Sequence, residues 1–200
     1  SNHYYKRPFD LVVSMSGMLA LLPLFCLLVI SVIIFSGFPV IYSQKRVGQD
    51  GIIFNIYKFR TMIMGAEFLE QGTITRKNDK RITSIGRKLR KWKLDELPSL
   101  LNVILGNMSI VGPRPDVPGY ADNLVGEQRK ILELKPGITC PASLKYASEE
   151  KILANMHDSA EFNDKVIFPD KVKMNLDYYY SRSFLLDVKI IARTLFRVNY

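Results

Sequence analysis

The chain has 200 residues, room for one ordinary domain with an appendage. Its 28 Lys and Arg against 19 Asp and Glu leave +9, and a 48% hydrophobic share excludes both a disordered chain and a many-spanning channel. Two histidines (His3, His157) and two cysteines (Cys26, Cys140) exclude a multi-histidine metal site and a disulfide framework, and a Ser-His-Asp triad would rest on His157 alone. The glycines form neither a dinucleotide fingerprint nor a P-loop, so any phosphate must be handled by cationic side chains and a metal.

Residues 11–35 are apolar, relieved only by Ser14, Ser16, Gly17, Pro23 and Ser31, and no charge occurs between Leu11 and Gln44. As a helix rising ~1.5 Å per residue, this stretch is long enough to cross a bilayer core. A secretory signal would have a much shorter apolar core and a small-residue cleavage pattern, which is absent. Lys6 and Arg7 precede the stretch, and Lys45 and Arg46 follow it, so both ends carry the cytoplasmic mark. Pro23 favours a kink or break in the membrane helix. These residues leave open a kinked helix that enters and leaves by one face and a single-pass anchor. Either way, residues 1–38 anchor and residues 39–200 form the domain outside the bilayer.

Residues 40–44 and 52–59 are expected as two strands joined by a turn over 47–51. By the two-residue period Phe54, Ile56, Lys58 and Arg60 share a face, and Lys58 and Arg60 are a candidate phosphate grip or a charged, solvated strand edge. Residues 64–81 are expected as a long polar loop. Between Lys45 and Lys93 stand 13 cations and four acids, equal to the net charge of the whole chain. Such a region suits an anionic leaflet, at ~1 kcal/mol per cation, or a phosphate-rich substrate. No helix-turn-helix or RNA-binding signature accompanies it, so nucleic acid is not expected.

Ile85, Leu89 and Trp92 mark an amphipathic helix. In Leu94-Asp95-Glu96-Leu97-Pro98-Ser99, the proline suits only a first helical turn, so a helix should begin near Asp95, with Asp95 close to its N-cap and Glu96 in the first turn. Helix capping alone would account for that pair. A carboxylate fixed at a helix start beneath a basic face would also stay ionised at neutral pH and could serve as a phosphoryl acceptor or a Mg²⁺ ligand. In Val111-Gly112-Pro113-Arg114-Pro115, two prolines restrict where a phosphate-binding guanidinium can point. Residues 148–160 look like a further helix, with His157 on its surface. In the last helix Lys189, Arg193 and Arg197 lie opposite Phe184, Leu185, Val188, Ile191 and Leu195, a stripe suited equally to a membrane interface or to core packing.

The motifs form an ordered set. It runs from Lys6-Arg7 before Phe9-Asp10 through the apolar segment interrupted by Pro23, Gln44-Lys45-Arg46-Val47-Gly48, Tyr57-Lys58-Phe59-Arg60-Thr61-Met62, Leu94-Asp95-Glu96-Leu97-Pro98, Leu101-Asn102-Val103, Met108-Ser109 and Val111-Gly112-Pro113-Arg114-Pro115. It ends with Lys135-Pro136-Gly137-Ile138-Thr139, Leu176-Asp177-Tyr178-Tyr179 and Leu185-Leu186-Asp187-Val188-Lys189. Over nearly the whole chain this resembles the small monotopic phosphoglycosyl transferases of the bacterial sugar transferase family. The resemblance implies an α+β fold: an N-terminal re-entrant membrane helix hairpin, a small β-hairpin or sheet, and several amphipathic helices lying at the membrane surface. It also implies that a sugar-1-phosphate moves from a UDP-sugar to polyprenyl (undecaprenyl) phosphate, releasing UMP, at the cytoplasmic face of the bacterial inner membrane.

In that scheme Asp95 is the nucleophile, Glu96 assists with metal or proton handling, and Asp95 and Glu96 meet Mg²⁺. Arg114 binds phosphate, with Lys58, Arg60 and Arg46 as further cationic partners, and a homodimer is a possible assembly. One departure falls after Thr139, where Cys140-Pro141-Ala142-Ser143-Leu144-Lys145-Tyr146 stands in place of the family's usual Gly-Arg-containing continuation. The rival expectation is a membrane-anchored basic scaffold without catalysis, in which Asp95 and Glu96 only cap a helix.

Overall fold

The computed structural model describes residues 4–66, 79–154 and 158–196. Most of the polar 64–81 segment, His157 and Arg197 lie outside them. The apolar N-terminal stretch forms two helices, α1 (Lys6–Ala20) and α2 (Leu22–Ser36), bent by 63° at their junction. Neither is long and apolar enough to cross a membrane alone, whereas the bent pair passes by length and composition. Pro23 lies in the first turn of α2, where it has no helical donor to lose. The break therefore falls at Leu21, just before the proline. Val12, Met15 and Leu19 of α1, and Leu22, Leu27, Ile30, Ile34 and Phe35 of α2, stay exposed.

The opposite side of α1 is polar and fastens it to the rest of the chain. Arg7 donates to the carbonyls of Val103 (2.5 Å) and Ile104 (2.8 Å), near the end of helix α4 (Ser99–Leu105), where carbonyls lack helical partners. Asp10 accepts the Ile110 N–H at 3.1 Å. Lys6 pairs with buried Asp187 at 2.7 Å, and Asp187 also accepts from the Tyr178 hydroxyl at 2.5 Å.

The expected hairpin is present as β1 (Ile41–Val47) and β2 (Ile53–Phe59), antiparallel with Ile41 opposite Phe59 and Val47 opposite Ile53. Its turn needs positive φ at Asp50 and Gly51. Helix α3 (Ser84–Trp92) follows, capped by Thr83, whose hydroxyl accepts the Gly86 N–H at 3.0 Å. Gly86 permits contact with the hairpin's exit strand, because a Cβ there would sit 2.1 Å from the Thr61 carbonyl oxygen. Leu89 packs with Phe59, Leu28 and Val32, whereas Trp92 on the same stripe remains exposed.

A single buried amide docks α4 onto β2. Asn102 donates to the Asn55 carbonyl at 2.7 Å and accepts the Tyr57 N–H at 3.0 Å. After α4 the chain forms β3 (Ser109–Val111), which pairs in parallel with β4 (Gly137–Thr139). Gly112 and Gly137 meet so closely that a Cβ on Gly137 would lie 2.2 Å from the Gly112 nitrogen. The two Gly-Pro-bearing motifs are thereby joined. The remaining helices are α5 (Pro141–Lys145), α6 (Glu149–Ala154), α7 (Ser159–Phe162), α8 (Phe168–Ser181) and α9 (Phe184–Leu195).

The main core gathers Ile56, Val103, Met108, Ile110, Val111, Leu144, Tyr178 and Ile190, contributed by β2, α4, β3, α5, α8 and α9. The single helix expected over 148–160 is instead α6 and the start of α7, which runs on through a π-helical turn over Asn163–Ile167 into α8. Asp158 starts α7 afresh by accepting the Glu161 N–H at 2.9 Å. In α9 the core takes Asp187 and Ile190, and Phe184, Leu185, Val188 and Leu195 face outward. Phe184 meets Tyr5 and Phe9 edge-on, so this outward stripe adjoins the start of α1.

Asp187 therefore ties α1, α8 and α9 together through charges withdrawn from water. Asp187→Ala would leave Lys6 only its longer contact to Asp10 at 3.9 Å and the Tyr178 hydroxyl without its acceptor, and is expected to lower stability by about 3 kcal/mol, read as a lower unfolding midpoint in detergent. Asp187→Asn, which keeps an acceptor for Tyr178, is expected to cost less.

Candidate active site

Helix α3 ends at Lys93, a left-handed residue with φ 57°. The chain then makes a 3-10 turn over Leu94–Glu96 before α4 begins at Ser99. Asp95 thus lies in the elbow between two helices and is not the expected N-cap. The turn has no side-chain cap, and Asp95 Oδ1 is buried without a hydrogen-bond partner. At 9% exposure, desolvation and the neighbouring Glu96 charge push the Asp95 carboxyl up, while Lys58, Arg90 and Lys93 pull it down. Burial outweighs the pull of the basic surroundings on this carboxyl.

Glu96 is in the opposite condition. Lys58 donates to its Oε1 at 2.9 Å, and Arg114 forks onto both oxygens, with 3.2 Å from Nη1 to Oε2. Burial alone would push this carboxyl up, but Arg114 and Lys58 hold it well below its ordinary value. Burial lowers the Lys58 ammonium and Glu96 pulls it back up, while Glu96 raises the Arg114 guanidinium. Arg46 completes the group. It donates to the Pro115 carbonyl at 3.1 Å and to Gln44 Oε1 at 2.7 Å, and burial and Arg114 lower its pKa.

Arg46, Lys58, Glu96, Ser99, Arg114 and Ile138 are among the residues lining an open cleft of about 280 Å³. Each reaches it from a different element: β1, β2, the elbow, α4, the Pro-Arg-Pro loop and β4. Asp95, one residue before Glu96, does not line this cleft.

Arg60 stands elsewhere. It follows the end of β2, and its guanidinium donates to the carbonyls of Phe38 (2.8 Å), Gly37 (2.6 Å) and Ser36, closing the exit of α2. The two-residue face that carries Ile56 and Lys58 into the cleft ends with the strand, and open helix-end carbonyls then attract the nearest cation. Asn102 stood in the ordered motifs without a role, and the structure supplies one. A lone amide inside the apolar run 100–105 was the available signal, and its two bonds to β2 set Lys58 opposite Glu96.

Among the described residues no three His, Cys, Asp or Glu side chains gather as a metal site. Mg²⁺ commonly takes one or two carboxylates, with substrate phosphate and water completing its shell. The buried, unpartnered Asp95 oxygen fits that pattern, whereas both Glu96 oxygens are engaged by Arg114.

The two acids should titrate stability in opposite senses. The raised Asp95 carboxyl makes the folded state gain stability as pH falls through its folded value toward 3.8. The depressed Glu96 carboxyl contributes stability above 4.5, lost as pH falls toward its folded value. Asp95→Asn is therefore expected to raise the unfolding temperature at neutral pH. Glu96→Gln, which strands two cations, is expected to lower stability by about 3 kcal/mol. Thermal melts of both variants across pH check the pair.

The bacterial sugar transferase family matches residues 1–199. The undecaprenyl-phosphate glucose phosphotransferase of Komagataeibacter xylinus is 35% identical over 96% of this chain and 35% of its own length. The UDP-glucose:undecaprenyl-phosphate glucose-1-phosphate transferase of Escherichia coli K12 is 33% identical over 98% of this chain and 40% of its own. The undecaprenyl-phosphate galactose phosphotransferase of Salmonella typhimurium is 40% identical over 70% of this chain and 32% of its own. The chain thus spans roughly a third to two-fifths of the length of these curated relatives. With the family pattern matched from end to end and the acidic pair set among three cations, this chain belongs to the bacterial sugar transferase family.

Proposed function

We propose that this chain is a phosphoglycosyl transferase that moves a sugar-1-phosphate from a UDP-sugar to polyprenyl (undecaprenyl) phosphate, starting assembly of a bacterial glycoconjugate. The relatives' glucose and galactose transfer supports the reaction class. The observation that carries the reading is the buried Asp95 carboxylate, unpartnered at Oδ1 and adjacent to a Glu96 locked between Lys58 and Arg114.

A carboxylate with no internal partner is a nucleophile in waiting. An Asp95 oxygen attacks the β-phosphorus, the bond to the bridging oxygen breaks, and UMP leaves with that oxygen. An oxygen of the lipid phosphate then attacks the same phosphorus and frees Asp95, giving a lipid diphosphate-linked sugar. Arg114, Lys58 and Arg46 hold the phosphates, and Glu96 keeps Lys58 and Arg114 in position for them. Mg²⁺, held by Asp95 and the substrate phosphates, would supply further charge neutralisation along the diphosphate.

The site's surroundings suit a lipid acceptor. The bent α1–α2 pair, with apolar side chains exposed along it, is read as a re-entrant anchor in the cytoplasmic leaflet of the inner membrane, since cations flank both its ends. The outward apolar stripe of α9 beside the start of α1 suits the interface. A non-catalytic basic scaffold would use Asp95 as a helix cap, and Asp95 caps nothing.

The test is UMP release from a panel of UDP-sugars with Mg²⁺ and undecaprenyl phosphate. Wild type is expected to release UMP from at least one donor, and Asp95→Asn to fall by about 10³-fold or more. Without lipid, wild type should exchange labelled UMP into UDP-sugar, and a one-step enzyme would not. Activity should fall as acid protonates Asp95, with a midpoint above the ordinary aspartate value. Release that persists undiminished in Asp95→Asn would overturn the assignment.

A further inference from the structure

Adjoining the cationic cleft is a second open one, whose empty space including the solvent at its mouth is about 310 Å³, and the two share Arg114 and Pro115. Its walls are mainly apolar, with Val47, Ile131, Leu132 and Pro136 among them, and beside the shared Arg114 two polar side chains interrupt them, the acceptors Asp116 and Asn175. Asn175 lies on α8 and is only 7% exposed, yet its Oδ1 is buried without a hydrogen-bond partner. An unsatisfied buried amide costs folding free energy, and a helix interior could carry a leucine or alanine there instead.

Asp116 presents the second acceptor. Its backbone carbonyl accepts the Val47 N–H at 2.9 Å, which fixes the loop. Among the described residues its carboxylate makes no hydrogen bond or ion pair. Burial pushes it up to about 6, against the pull of Lys171, Arg46 and Arg114.

The chemistry narrows the occupant. A phosphate would be repelled by Asp116, and the neighbouring cleft already supplies the cations that phosphate needs. Two acceptors between apolar walls fit a neutral ring whose hydroxyls donate and whose C–H faces pack against aliphatic side chains. Such a ring must be linked to a phosphate held one cleft away.

We propose that this second cleft is the ring-recognition site of the donor, where Asp116 and Asn175 accept hydrogen bonds from hydroxyl groups of a sugar ring linked to the diphosphate. The inference rests on reading the donor as a UDP-sugar. Both its ribose and its hexose carry the required hydroxyls. The variants distinguish them.

The experiment is calorimetric titration of the full chain in lipid nanodiscs with Mg²⁺, in an Asp95→Asn background that blocks turnover. The ligands are UDP-glucose, UDP-galactose, UDP-N-acetylglucosamine, UMP and 2′-deoxy-UMP. Adding Asp116→Asn or Asn175→Ala should weaken at least one UDP-sugar about tenfold. Asn175→Ala should also leave the unfolding temperature equal or higher, since it removes an unpaired buried group, an outcome that a merely structural amide would not give. If UMP weakens in parallel and discrimination against 2′-deoxy-UMP is lost, the ring is the ribose. If UMP is unchanged while the order of preference among the UDP-sugars changes, it is the hexose.

Affinities within about twofold of the parent for every ligand, or no binding to the parent at all, would overturn the proposal. A chain that binds these donors through Asp116 and Asn175 but releases no UMP would refute the transfer reaction and leave this site standing.

Discussion

The candidate site depends on one constraint: a buried Glu96 carboxylate that must find its counter-charges inside the protein. Lys58 from β2 and Arg114 from the Pro-Arg-Pro loop both converge on it. Neither cation is near Glu96 in sequence, so meeting that demand brings the hairpin and the loop after β3 together at the elbow. Removing one partner from such a group costs more than its net stabilising value, because a charge is left unpaired in a poorly hydrated place. The cleft is the space around this three-way contact.

The supports around it follow from the same requirement. Asn102 carries α4 against β2 through two backbone groups, so Lys58 emerges opposite the elbow. Gly112 and Gly137 let β3 and β4 approach to a distance that a side chain would forbid, and this brings Arg114 over Glu96 from the other side. Left-handed Lys93 turns the chain sharply enough for α3 and α4 to share one elbow. Asp95, next to Glu96 on that elbow, is buried by the same packing but receives no partner of its own. Two adjacent carboxylates are thereby set apart, one paired with cations and one left without a hydrogen-bond partner at Oδ1.

Much of this was legible in the residues. The uncharged apolar stretch, the turn over 47–51 and the stop at Gly106 follow from local chemistry and appear at or near the expected positions. The sequence also singled out Asp95, Glu96, Arg114, Lys58 and Arg46, and four of these five line one cleft. Arg60 shared the strand face of Lys58 on paper, but beyond the last ladder pair the two-residue period no longer governs where a side chain points. The helix over 148–160 showed continuous helical composition, yet Asp158 is a better start than an interior residue, and the helix divides there.

By itself the sequence determined what depends on neighbours along the chain. This covers the apolar stretch with cations at both ends, the punctuation by glycine and proline, the Asp-Glu pair, and the ordered motifs that mark the family. Only the tertiary structure decided what depends on distance through space. It assigned Lys58 rather than Arg60 to Glu96, turned the apolar stripe of α9 outward, and placed Asn175 beside Asp116 in a second cleft. It also made Asp95 harder to ionise than its basic neighbours suggested. The physical reason is desolvation: removing a carboxyl from water outweighs several nearby cations, and how much water is removed is a property of the folded packing.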